Sequence, residues 1–142
     1  MTSSTMHGAM SRSFWRIGLG VHLAVVTAIS IVAYLGLLPD ASRILPRYDL
    51  PGHLVFIGVI AFFLDGALDF RPLLPGWPRL AWLRLAPVIV VGLAGIEELV
   101  QSFSPYRSPS ILDFTCDTVG IVLFSWLASR LETRREAKRG RA

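Results

Sequence analysis

Residues 97–117, EELVQSFSPYRSPSILDFTCD, gather Glu97, Glu98, Gln101, Arg107, Asp113 and Asp117 into one stretch of a chain whose neighbouring segments are apolar. Such groups support three kinds of chemistry. A carboxylate can exchange a proton with a bound molecule. A guanidinium can grip a phosphate or carboxylate through two parallel hydrogen bonds. Clustered carboxylates could hold a hard divalent cation. Spacing narrows the geometry. Glu98 and Gln101 are three positions apart and Glu97 and Gln101 four, so at least one carboxylate shares a helical face with the amide. Asp113, Asp117 and Gly120 follow at i, i+4 and i+7, nearly a straight stripe, and Gly120 lets a neighbouring helix approach beside the two carboxylates. Asp49 and His53 are also four apart, although Pro51 between them argues against an unbroken helix.

Each group has a functional and a plain reading. Arg107 is centred in SFSPYRSPS between Pro105 and Pro109, where it could pair with Glu98 or Asp113 or recognise an anionic head group. Glu98 or His53 could act as general base, and Asp113, Asp117 and Glu98 could supply oxygen ligands to a divalent cation. No G-x-S-x-G nucleophile motif and no fixed zinc spacing accompanies them. Cys116 is the single cysteine, which excludes an intramolecular disulfide and a cysteine metal cluster. The same residues therefore read as an enzyme's acid–base pair, as a binding site, or as staples between helix ends.

The elements that must carry these residues are apolar. Hydrophobic residues make up 53% of the 142 positions and charged residues only 17%, against about 25% in soluble domains, and mean hydropathy is +0.55. The expectation is an all-α membrane protein with four transmembrane helices over 13–131, covering roughly 14–38, a run from His53 through LVFIGVIAFFLDGAL, 83–100 and 111–131. The first run is too long for the apolar segment of a signal peptide and is read as a retained span. Proline-rich connectors separate the runs. Residues 1–12 read as a disordered polar tail, and 132–142 as a basic one. His22 reads as a packed or interfacial histidine, Asp65 and Asp69 as surface pairs beside Arg71, and Gly18, Gly20, Gly92 and Gly95 as close-packing positions.

Charge sets orientation. Arg12 and Arg16, then Arg71, Arg79 and Arg84, and the six Lys and Arg from Arg130 onward fall on one side, against Arg43, Arg47 and Arg107 on the other. The positive-inside rule predicts both termini in the cytoplasm, so that Asp49, His53, Glu97, Glu98, Gln101, Arg107, Asp113 and Asp117 meet at the outer face. Ionisable groups at such a boundary pair or line a water-filled cavity. The net charge of +4 comes largely from the basic tail and, without an aromatic-basic surface, gives no nucleic-acid partner.

The motif EELVQSFSPYRSPSILDFTCDTVG resembles the signature of the VanZ-like membrane proteins: an acidic residue with Gln three on, a Pro and Arg turn, then Asp, an Asp or Asn four later, and Gly. YDLPGHLVFIGVIAFFL resembles the same family's entry to a span. Leu50 stands where the family usually has lysine, and Phe124 where it often has glycine. The resemblance covers 34–127 and carries over onto Asp49, His53, Glu98, Gln101, Arg107, Asp113, Asp117 and Gly120. It implies a multi-pass protein of the bacterial cytoplasmic (inner) membrane, associated with resistance to glycopeptide antibiotics such as teicoplanin. The resulting expectation is an outward polar site for an anionic envelope lipid or cell-wall precursor, with Asp49, Gln101, Arg107, Asp113 and Asp117 binding and Glu98 and His53 available for proton transfer. No cofactor is implied beyond a divalent cation that the carboxylates could hold.

Overall fold

The computed structural model describes residues 12–37 and 49–139, with the side chains of Asp49, Arg135, Glu136, Lys138 and Arg139 outside that description. Most of the expected N-terminal tail, the first connector with Arg43 and Arg47, and residues 140–142 lie outside the described residues. The described chain is all-helical: α1 Arg12–Tyr34, α2 Asp49–Ala67, α3 Leu85–Gln101 and α4 Ile111–Arg139. Segments Arg12–Tyr34, Leu50–Ala67 and Ile111–Arg134 are each long and apolar enough to cross a membrane. At 17 residues, α3 rises about 25 Å, short of the ~30 Å hydrocarbon core.

Helix termini explain two departures from the sequence reading. Pro51 does not interrupt the Asp49–His53 segment: it is the third residue of α2, as Pro87 is the third residue of α3. In the first turn the backbone N–H has no intrahelical acceptor, so a missing donor costs nothing there. At the other end of the chain α4 continues past 131 to Arg139, because ETRREAKR is composed almost entirely of strong helix formers. The end of α1 carries a Schellman motif. Gly36 adopts φ +67°, and the Leu37 N–H donates to Val32 O and the Gly36 N–H to Ala33 O, each at 3.0 Å.

The centre of the fold is the parallel pair α2 and α4, whose contact is the most extensive. Gly58 and Gly120 make it close. A Cβ on Gly120 would collide with Leu54 O, and one on Gly58 would lie 2.9 Å from Gly120 O. Small residues that let backbones touch are how helices associate where lipid removes the hydrophobic driving force. Ala61, Val90 and Ile121 form the buried apolar core. Helix α1 packs antiparallel to α2, with Trp15 buried against Gly66 and edge-on to Phe70. Gly18 lies against the Phe63 ring, whereas Gly20 and Gly92 face open space.

The 68–84 connector is pinned rather than loose. Leu73 N–H donates to Leu83 O at 2.8 Å and Leu85 N–H to Arg71 O at 2.9 Å, with a 3-10 turn at Pro78–Leu80 between. It delivers Arg84 onto fully buried Asp65 at 2.6 Å, with a second guanidinium nitrogen donating to Ser125 O at 2.8 Å. Asp65 is therefore not a surface group beside Arg71. Asp69 does form an exposed pair, with Arg12 at 3.0 Å.

Candidate functional site

At the opposite end of the helices from Asp65, the termini of α1, α2, α3 and α4 surround a cavity of about 410 Å3, within the size range of small-molecule sites. Its polar rim is Tyr34 from α1, His53 from α2, Glu97 from α3, Arg107 from the α3–α4 loop and Asp117 from α4. Below the rim the walls are apolar apart from Ser30 on α1.

Each rim group except Arg107 is committed to a neighbour. The Tyr34 hydroxyl donates to Glu97 Oε1 at 3.1 Å, and Gln101 Nε2 donates to Glu97 Oε2 in a short contact. Gln101 is fully buried, one helical turn from Glu97, so its amide fixes the carboxylate from within the protein. His53 Nδ1 lies 3.2 Å from Asp117 Oδ1, and its Nε2 is 4.0 Å from Asp113 Oδ2, beyond hydrogen-bond reach. Asp117 is buried and Asp113 half-buried. Among the described residues Arg107 forms no ion pair with Glu98, Asp113 or any other carboxylate, and its guanidinium donates no hydrogen bond.

The loop that presents Arg107 is fixed along its length. Ser104 N–H donates to Gln101 O at 3.0 Å and Tyr106 N–H to Ser104 Oγ at 3.2 Å. The Tyr106 ring packs on Gly36, where an added Cβ would lie 2.8 Å from the ring. At the far end the Ser110 N–H donates to Glu98 Oε2 at 2.6 Å, while Ser110 Oγ accepts the Asp113 N–H at 3.2 Å as the N-cap of α4.

Glu98 consequently stands apart from Arg107 and His53. It borders a second, open groove with Gly95, Pro109, Ser110 and Phe114, and its carboxylate sits at the N-terminus of α4, where a negative charge is favoured. No protein-family model matches the chain, and comparison with curated proteins and with solved structures likewise gives no match.

Of the residues singled out in the sequence, the fold brings His53, Arg107 and Asp117 to one cavity, with Gln101 and Asp113 directly behind it. Glu98 faces elsewhere, Gly120 lies in the α2–α4 contact, and Asp49 opens α2 with its side chain outside the described residues. Among the described residues, no group of three or more His, Cys, Asp or Glu side chains is arranged to hold a metal ion. The sequence reading did not single out Tyr34 and preferred Glu98 to Glu97. The signal for Glu97 was present in its i, i+4 spacing to Gln101. Tyr34 has no local signal, since it meets Glu97 only through the packing of α1.

Proposed function

We propose that this chain is a four-span membrane protein with both termini in the cytoplasm, and that the Arg107 cavity is an outward-facing site for an anionic component of the bacterial envelope. The observation that carries the reading is the uncommitted guanidinium. Glu97 is held by Tyr34 and Gln101, and Asp117 by His53, while half-buried Arg107 borders the same cavity without a protein counter-ion among the described residues. A cation in that setting is best compensated by a ligand anion, held bidentately. The distribution of Lys and Arg supports the orientation. The resemblance of residues 97–120 to the VanZ-like signature supports an envelope role, with reduced teicoplanin susceptibility as one phenotype to measure.

The test is to purify wild type and Arg107→Ala from the same membranes and identify the molecules that remain bound. The expected result is enrichment of anionic species over the bulk membrane with wild type and loss of that enrichment with Arg107→Ala. Identical profiles would refute the reading.

A second reading has an observation of its own. An imidazole oriented by a carboxylate on one ring nitrogen is the arrangement of a general base, and His53–Asp117 has it at 3.2 Å. In this reading the site modifies a lipid-linked precursor by acid–base chemistry. A change in envelope precursors caused by wild type and abolished by His53→Gln, with ligand retention intact, would favour it over binding alone.

A further inference from the structure

The cavity is far deeper than a head group requires. On α1 its wall runs from Tyr34 down to Leu23, a rise of about 16 Å. Beneath the rim, Val26, Ile57, Ile60 and Val90 present only hydrocarbon, with the Ser30 hydroxyl the one polar side chain on the wall among the described residues. A single hydroxyl gives water fewer than the two to four polar partners it needs, and a soluble anion would fill only the top of the space.

The cleft also opens sideways. Leu23 and Ile29 on α1 and Leu93 on α3 line it and are 41%, 39% and 58% exposed. These residues belong to the flanks of α1 and α3, and α1 is long and apolar enough to cross a membrane. Hydrocarbon lining that is continuous with a lipid-facing flank is open to a chain arriving within the bilayer. At the rim, Glu97 and Asp117 border the space beside Arg107, so one negative charge is matched by the one guanidinium, and each further charge on a head group adds repulsion from the two carboxylates.

We propose that the ligand is a monoanionic phosphodiester lipid, its phosphate at Arg107 and one hydrocarbon chain laid in the cleft between α1 and α3. This rests on the anion-site reading and adds the ligand's chemical class and its lateral route of entry.

The experiment uses the full chain in a neutral detergent. Retention of dioleoyl phosphatidylglycerol is followed by native mass spectrometry and compared with dioleoylglycerol, the same chains without the phosphate, and with glycerophosphoglycerol, the same head group without chains. Two variants separate the claims. Ser30→Phe fills the cleft from α1, away from the Ala61–Val90–Ile121 core, and Arg107→Ala removes the cation. Wild type should retain phosphatidylglycerol at least about tenfold better than either other probe, and each variant should lose about tenfold. If glycerophosphoglycerol binds as well as the lipid, and Ser30→Phe binds like wild type while Arg107→Ala does not, the chain-in-cleft inference is wrong and the anion site stands. If Arg107→Ala retains phosphatidylglycerol like wild type, or dioleoylglycerol binds equally, both are wrong. Should a variant fail to fold, the comparison of chain-bearing and chainless probes on wild type still decides the inference.

Discussion

Arg107 and Glu98, nine positions apart in the chain, show how two charges beside the same turn acquire different work. Glu98, on α3, accepts the Ser110 N–H at 2.6 Å with a carboxylate that reaches the start of α4, so its removal strands a backbone donor. Glu98→Ala should destabilise the fold by about 1–3 kcal/mol, read as a lowered thermal midpoint in detergent. Arg107 forms no ion pair among the described residues, so Arg107→Ala should leave that midpoint nearly unchanged and reduce anion retention instead. The opposite assignment of the two effects would contradict the site. Part of this was legible locally: Glu97 and Gln101 lie one helical turn apart, which is enough to predict their contact. The choice between Glu97 and Glu98 was not. Adjacent helical residues point about 100° apart, and only the position of α1, which brings Tyr34 to Glu97 at 3.1 Å, decides which carboxylate faces the cavity.

The elements were readable because apolar runs alternate with proline clusters, and the helices follow that punctuation closely. What misled was proline itself. Pro51 reads as a break, yet in the first turn of α2 it removes a donor that has no acceptor. The contacts between elements were less legible. Asp65 and Arg84 are separated by a long connector, and nothing in their spacing announces a 2.6 Å pair buried against Ser125. That pair yields a prediction for assembly. Asp65→Ala or Arg84→Ala alone should destabilise by about 3–5 kcal/mol, because each strands a buried charge, while the double change Asp65→Leu with Arg84→Met should recover most of it; additive losses in thermal or detergent unfolding would contradict this. The α2–α4 contact yields another. Gly120→Val places methyl groups against the Leu54 backbone and should cost about 1–3 kcal/mol. A wild-type midpoint would mean that the two backbones are not in contact.

For the whole molecule, the alternation of helix direction places two polar centres at opposite ends: Asp65–Arg84 at one, and the Arg107 cavity at the other. The proposed orientation puts the first inside and the second outside. An alkaline phosphatase joined after Arg107 should be active and one joined after Trp77 inactive; the reverse would place the cavity on the cytoplasmic face. Charge asymmetry made that orientation readable in the sequence, but the cavity's depth was not readable, because it arises where α1 and α3 flank α2 without closing the space between them. The central claim is that this space holds an anionic envelope molecule in the living membrane. Its most direct test is photo-crosslinking in intact cells, with a benzophenone amino acid at Leu93 on the cleft and, as reference, at Leu123 on the exposed face of α4. Mass spectrometry of the adducts should find anionic envelope species strongly enriched at Leu93 over Leu123 and that enrichment lost with Arg107→Ala. The same mixture of lipids at both positions would contradict the account.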